Sequence, residues 1–595
     1  MSHRTIRRGV VLTAAAATLA SGVLTGTAAA APGGGQSTPR PDFTLTILHA
    51  NDLESALLPT TTSTGYTYGG VDRFVELVQR EQHAATTGRP GAGQAGKRGV
   101  LTISAGDNFL PGPNLAASQQ EGAPNYDALA FDEAGFDVSI LGNHDFDLGP
   151  EFLADWLGDV DDTTFVSNNL GFGAEPTLAA RVADGTIVTS SVQDVRGERI
   201  GIIGLTTPDL PQLTSSRGVT VDPALASIAN AQAAAYTRAG VDKVVLVSHL
   251  QDIDNELALA RQLRGVDVIV GGGGHELLAD ADDPVVANGT ARYGDYPQTP
   301  TDADGRVVPV VTTAALYSYV GRLVVNFDAA GRVIGFDEPA SRPLPVVAAG
   351  PDAVQPDPRV QREVVAPVQQ YVTGLAQRTV ASTQVPLNGI RDDVRSRETN
   401  LGDLVADSLL AAGRREAAAA GITAPVVAIQ NGGGIRNNTV LPAGPISELD
   451  TYTVLPFSNF VAVAPAMPAA TFIAGVERGL SGLPGPAGQF AQAAGYRVTY
   501  DVSRPVGSRI VDLQLDDGRY LVQGGVATGA VSTVSIATND FTLRGGDGYP
   551  FAGVAFTVLP VTYQQALLQY LQEDLGGTVT ATDYPVGGEG RIRAA

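Results

Sequence analysis

The chain of 595 residues contains no cysteine, one tryptophan and two methionines. Without a thiol, disulfides and thiolate metal sites are both excluded, so any metal must be held by carboxylate, imidazole or amide groups. Positive charge is scarce as well. Against 62 Asp and Glu stand 39 Lys and Arg, for a formal net charge of -23. A field of that sign repels polyanions, which excludes a nucleic-acid polymer or an anionic membrane surface as a general partner. After Leu24 no segment is long and apolar enough to span a bilayer, so no stable membrane anchor is expected. Nothing in the sequence sets an oligomeric state. Plentiful by contrast are Gly (70) and Pro (37), beside 44% hydrophobic residues, the composition of a loop-rich globular protein.

The first residues have the pattern of an export signal. Arg4, Arg7 and Arg8 precede an apolar run from Val10 to Leu24, and Ala29-Ala30-Ala31 offers a small-residue cleavage site. This predicts a signal peptide over 1–31 and a secreted or extracytoplasmic protein. Sec export is the simpler route, and Arg7-Arg8 also fits a twin-arginine signal. A Pro/Gly/Ser-rich flexible tail is expected over 32–41.

The rest is too long for one core, which predicts two domains. Phe43–His49, Val100–Ser104, Val138–Leu141, Thr164–Val166, Ile200–Gly204, Lys243–Ser248 and Val266–Val270 have the composition of strands. Helix-compatible Val71–Glu81 and Ala224–Ala239 lie between them, so 42–340 is expected to be a layered α/β domain. A linker and hinge helix follow over 341–378, with Pro367 interrupting the helical stretch. A second α/β domain is expected over 379–575 and a C-terminal tail over 576–595.

Polar residues recur just after the strands, where α/β sheets place their chemistry. The segments are His49-Ala-Asn-Asp52-Leu-Glu54, Gly106-Asp107, Gly142-Asn143-His144-Asp145-Phe-Asp147, Ser248-His249-Leu and Asp267-Val-Ile-Val-Gly-Gly-Gly273-Gly-His275-Glu276. One Asp after a strand is ordinarily a turn former. Here, however, four of the six histidines share these segments. Phosphate-ester cleavage suits such a set, because two divalent ions roughly 3.5–4 Å apart clamp phosphoryl oxygens and acidify water. Asp107 is the natural bridge between them, and His144 lies three residues from Asp147, which can orient it as an acid.

In this order and spacing the segments resemble the calcineurin-like metallophosphoesterases, and among them the 5′-nucleotidase / UDP-sugar hydrolase group. The resemblance covers nearly the whole chain after the signal. It implies a four-layer α/β/β/α metallophosphoesterase domain over 42–340 and a separate C-terminal α/β nucleotide-binding domain. It further implies metal ligands at Asp52, Asp107, Asn143 and His249, with a His144–Asp147 catalytic dyad. Two positions depart from the family pattern. Glu54 stands where the first motif has His, and Gly273 where the last motif has its first His. In the ungapped register one metal keeps Asp52, Glu54, Asp107 and His275. The other keeps Asp107, Asn143 and His249 and is one protein ligand short. A gapped register would make His275 the missing histidine and give Glu276 a role. The changes at positions 54 and 273 favour oxygen over imidazole, which moves preference from Zn toward Mn, Mg or Ca.

The second domain carries Arg391 and Arg395, then Asn431-Gly-Gly-Gly-Ile-Arg436 after a strand over Val426–Ile429. Gly-rich turns let backbone amides approach an anion, and arginine binds phosphate bidentately. Phe457, Asn459, Phe541 and Asp547 lie in two further turn segments. By the resemblance, Arg391, Arg395 and Arg436 bind phosphate or carboxylate groups of the substrate, and Phe457 and Phe541 stack on a base. Asn431 and Asn459 reach polar ligand atoms, and Asp547 binds ribose. Ser458 stands where the family often has Gly. Hydrolysis of nucleoside 5′-monophosphates to nucleoside and phosphate is the expected activity. UDP-sugars, 2′,3′-cyclic nucleotides or simple phosphate esters are alternative substrates of the same centre. A nucleotide-binding protein with a degraded second metal site is the non-enzymatic alternative.

Overall fold

The structure, a computed structural model, describes residues 40–595 apart from 92 and 458. The expected signal peptide, nearly all of the expected tail and the Ser458 position therefore lie outside the described residues. Arg40–Ala595 form one compact unit. Within it the sheets fall into two groups, one before and one after a helical segment at 358–377.

The first group is built on Phe43–Ala50, whose apolar and threonine side chains are all buried. It pairs in parallel with Lys97–Ser104 and antiparallel with Tyr319–Phe327. Val138–Ser139, Thr164–Val166 and Ile187–Val188 extend the parallel side, and Val333–Phe336 and Arg342–Pro345 the other. A second, five-stranded sheet runs Val310–Val311, Val268–Gly272, Lys243–His249, Glu198–Thr206 and Ser191–Val195. Strands buried on both faces read as continuous apolar runs, and this is how Val244 to Val247 and Val268 to Val270 read.

Side chains from both sheets, among them Leu45, Ile47, Ile103, Ile202, Val247 and Val270, form one shared core. Helix Val71–Thr86 covers the outer face of the first sheet. Its buried Val71, Phe74, Val75, Leu77 and Val78 follow the helical period. Leu225–Arg238 and Ile253–Ala260 cover the second sheet. The layers are thus helix, sheet, sheet, helix. Both sheets direct the carboxyl ends of their parallel strands toward the same side, and those ends carry Asp52, Asp107, Asn143, His249 and His275.

The second group centres on the sheet Ala491–Ala494, Val427–Asn431, Thr533–Asn539, Phe460–Pro468 and Thr557–Thr562. Helix Asn400–Ala417 packs on one face. Helix Ala469–Leu480 and a smaller sheet that includes Tyr496–Tyr500 and Ile510–Leu515 pack on the other.

Three local expectations change. The strand expected to reach Leu141 stops at Ser139. Gly142 N–H turns instead to the Asp145 carboxylate at 2.8 Å, which redirects the chain before Asn143. Pro367 does not break its helix. Pro358–Val360 and Ala366–Gln377 are joined by one π turn, Gln361–Val365, so the carbonyl a proline would clash with is already displaced. Residues 576–595 are not a free tail. Thr578–Val579 pairs with Thr379–Thr383, and Ile592–Ala594 pairs with Tyr496–Tyr500. Between them Arg591 is anchored by Asp407 through two hydrogen bonds of 2.8 Å. Buried Val579, Tyr584 and Ile592 make leaving the fold costly.

Candidate active site

Five turns at the strand ends converge. Asp52 and Asp107 both take φ of +53°, and Glu54 and His275 take +50° and +60°, the left-handed region that non-glycine residues seldom adopt. Such concentrated backbone strain, in a buried polar cluster, is the pattern of a functional site. Two further contacts fix the turns. Asp145 accepts hydrogen bonds from Asp107 N–H at 3.2 Å and Asn108 N–H at 2.8 Å, tying the second loop to the third. At Gly142 a Cβ would run into the Asp107 carboxylate, so the close approach of these loops requires glycine.

His249 Nε2 lies 3.1 Å from Asp107 Oδ2 and 3.1 Å from Asn143 Oδ1, while its Nδ1 is 2.8 Å from the Ala105 carbonyl. His275 Nε2 lies 2.8 Å from Glu54 Oε1 and 3.4 Å from Asp52 Oδ1. Asp52 is fully buried. Its Oδ2 accepts from Asn51 at 2.6 Å and Gly273 N–H at 2.9 Å, but its Oδ1 has no hydrogen-bond partner. A buried carboxylate oxygen left bare and aimed at two imidazoles is what a cation position requires. Among the described residues, Asp52, Asp107 and His249 bring ligand atoms within 4.8 Å of one another, as do Asp52, Glu54 and His275. The chain thus holds Asp/His groups suited to a metal.

The electrostatics agree. Burial alone would lower the His249 pKa, but the Asp107 and Asp52 carboxylates lift it to about 10. Burial is likewise outweighed at His275, which Asp52 and Glu54 raise to about 11. Against its own burial, Asp52 is held below the ordinary carboxylate range by His275 and His249. Carboxylates that draw protons this strongly onto imidazoles will equally draw a divalent cation, and the two compete.

His144 Nδ1 lies 2.7 Å from Asp147 Oδ2, and Thr214 Oγ1 donates to Asp147 Oδ1 at 2.8 Å. The backbone N–H of His144 donates to Asp107 Oδ1 at 2.7 Å, which couples the dyad to the carboxylate cluster. The Asp147 and Asp107 charges overcome burial and raise the His144 pKa well above the ordinary value.

A cavity of about 460 Å³ opens on this dyad. Asn143, His144, Asp147, Leu213 and Gln251 line one side, and Arg395, Asn431, Arg436, Phe457, Asn459, Phe541 and Asp547 the other. Asn539 donates to Asn431 Oδ1 at 2.9 Å, and Asn431 donates to Asp547 Oδ2 at 2.8 Å, a relay that fixes the far wall. The Arg436 guanidinium stands 5.3 Å from the centre of the Phe457 ring. Arg395 is half-buried with its Nε unpartnered. Burial and the like charges of Arg391 and Arg436 lower its pKa. Arg391 itself is exposed and is not part of the lining. The two sides touch beside the cavity, where Ser215 Oγ donates to Asp540 Oδ2 at 3.3 Å.

Other residues take places the sequence did not indicate. Glu276 turns away from the cluster toward Ile253 N–H at 3.4 Å. His49, within the first motif, is a core histidine that burial pushes down to about 3, with Tyr296 Oη 2.8 Å from its Nε2. Asp145, Thr214 and Gln251 enter the site unannounced. For Asp145 the signal was its position inside the His144 turn; for Thr214 and Gln251 none was visible without the fold.

Residues 379–553 match the family model for the 5′-nucleotidase C-terminal domain. A solved 5′-nucleotidase precursor from Thermus thermophilus superposes with a TM-score of 0.65 and 33% identity, covering 93% of this chain and 99% of that one. A snake venom 5′-nucleotidase from Naja atra is 28% identical over 528 residues, 85% of this chain and 91% of its own length. A trifunctional nucleotide phosphoesterase protein of Bacillus subtilis is 28% identical over 442 residues, 70% of this chain. The chain spans 28% of the length of that Bacillus relative.

Proposed function

The chain belongs to the 5′-nucleotidase family and is a phosphoester hydrolase of that kind, and from this premise we propose that it is exported and releases phosphate from nucleoside 5′-monophosphates with two divalent cations. The observation that carries the reading is the cavity lined at once by the His144–Asp147 dyad and by Arg395, Arg436, Phe457, Phe541 and Asp547. A phosphate at one end and a base at the other are what such a lining recognises.

Asp52, Glu54, Asp107 and His275 would hold one cation, and Asp107, Asn143 and His249 the other. Bound there, such cations would supply positive charge to polarise the phosphoryl group and acidify the attacking water. The family's metal positions are met here by more oxygen than imidazole, which favours Mn, Mg or Ca over Zn. His144, oriented through Nδ1 by Asp147, turns Nε2 toward the phosphoryl group and donates a hydrogen bond or proton there. Arg395 and Arg436 bind the ester's anionic oxygens, with Arg391 adding long-range attraction. Phe457 and Phe541 hold the base between them, and Asp547, positioned by Asn431, accepts the ribose hydroxyls. The 358–377 helix is the hinge in this account, since it joins the two groups of sheets.

The test is phosphate release from 5′-AMP, UDP-glucose, 2′,3′-cyclic AMP and p-nitrophenyl phosphate, each with Mn, Zn, Co, Mg or Ca. Highest kcat/KM on 5′-AMP with an oxygen-preferring cation is expected. No turnover with any cation, beside saturable nucleotide binding, would leave a binding protein. Preference for p-nitrophenyl phosphate would leave a general phosphatase.

A further inference from the structure

The second cation position, as assigned above from Asp107, Asn143 and His249, lacks a side chain from residue 273. The space that side chain would use is filled. A Cβ built on Gly273 would lie 2.8 Å from Gln251 N, 3.0 Å from Gln251 Cα and 3.0 Å from Gln251 Nε2. The Gly273 backbone adds φ of +97°, a conformation that side chains rarely adopt. Position 273 therefore contributes no ligand, and Gln251 stands in its place.

Gln251 is held there at a conformational cost. It comes two residues after His249, at the end of Lys243–His249, and takes φ of +74°, where glycine would be unstrained. Its side chain is directed inward and lines the cavity. The terminal amide meets Asn143 Oδ1 at 2.5 Å, and that same oxygen lies 3.1 Å from His249 Nε2. The amide thus adjoins Asn143, whose Oδ1 meets His249, which in turn lies 3.1 Å from Asp107. The nitrogen and oxygen of a glutamine amide exchange places by rotation about the last side-chain bond, and the hydrogen-bond network decides which faces inward. With Asn143 Oδ1 as the neighbour the nitrogen faces it. A cation among these groups would instead favour the oxygen facing inward.

We propose that Gln251 is the missing ligand of the second cation position, its amide oxygen completing the set Asp107, Asn143 and His249 in place of the side chain that Gly273 lacks. The assignment rests on the two-cation reading above. An amide oxygen is a hard donor like that of Asn143, so the completed position holds one imidazole among oxygens and prefers Mn or Mg to Zn.

Equilibrium dialysis against Mn(II), read by elemental analysis, tests this without an activity assay. Wild type should bind two equivalents. Gln251→Gly suits the φ of +74° and removes the donor, so it should keep the first equivalent and weaken the second at least about fivefold. Gln251→Glu restores an oxygen and should hold the second equivalent at or above wild-type affinity. Metal-free Gln251→Gly, relieved of the backbone cost, should unfold no lower than wild type, which separates loss of a ligand from loss of the fold. A smaller change in Gln251→Gly, or equal weakening of both equivalents, overturns the assignment, as would Gln251→Glu behaving like Gln251→Gly. Fewer than two equivalents in the wild type would overturn the two-cation reading itself, and the assignment with it.

Discussion

Removing the Phe541 ring gives the sharpest view of how the cavity recognises its substrate. Phe541 is half-buried on the short helix Asp540–Leu543 and lines the cavity opposite the dyad, its ring lying over Gly546. One stacked base contributes about 1–3 kcal/mol. At about 1.4 kcal/mol per tenfold, Phe541→Ala should lower kcat/KM for 5′-AMP by roughly 5- to 150-fold. Ribose 5-phosphate has the same phosphate and sugar but no base, so its kcat/KM should fall less than about twofold. Phe457 is a graded comparison. Its ring also carries the Arg436 guanidinium at 5.3 Å, a contact worth about 0.5–1 kcal/mol at an exposed site. Phe457→Ala should therefore weaken ribose 5-phosphate as well, by roughly two- to fivefold, on top of the loss with 5′-AMP. Steady-state phosphate release with both substrates reads all four numbers. Equal losses on 5′-AMP and ribose 5-phosphate in Phe541→Ala would refute the stacking role.

Other outcomes follow from the same geometry. Asp147→Asn keeps the shape but not the charge beside His144 Nδ1, and should cost about 10²–10⁴ in kcat with little change in KM. Arg395→Ala removes a half-buried guanidinium whose Nε has no partner, and should raise KM for 5′-AMP about tenfold or more while leaving the unfolding temperature unchanged or higher. Burial raises the Asp267 carboxyl to about 7. The folded state thus binds this proton more tightly than the unfolded chain, and the stabilisation present near pH 4 is lost as pH rises through 7. Asp267→Asn keeps an acceptor for Val244 N–H, so denaturant titration should find it more stable than wild type at pH 8, by at most about 4 kcal/mol, and no more stable at pH 4. Trp156→Ala empties a core position shared with Phe109, Phe131 and Phe165 and should cost about 3–5 kcal/mol of folding stability.

The layered fold was legible because its strands are short apolar runs punctuated by glycine and aspartate. That Asp52, Asp107, Asn143 and His249 come together was legible because each lies at or just beyond the end of a strand. Gln251 was not legible. Its meaning depends on Gly273, more than twenty positions later along the chain, and only the pairing of Lys243–His249 with Val268–Gly272 brings the two together. Arg391 illustrates the opposite error. Four residues from Arg395 it looked equivalent, but it begins the single turn Arg391–Val394, is exposed, and does not line the cavity as Arg395 does. The last twenty residues looked like a tail because their strands are two and three residues long, too short to show a period. Pro367 looked like a break because a π turn has no local sequence signature.

The division of labour between a cation-holding lobe and a nucleotide-holding lobe is tested most directly by titrating Mn(II) into the chelated protein while phosphate release from 5′-AMP is followed. Turnover should be absent in the metal-free protein and should rise with the second bound equivalent, with saturable 5′-AMP binding already present before any metal is added. Full turnover without metal, or none at two bound equivalents, would contradict the account.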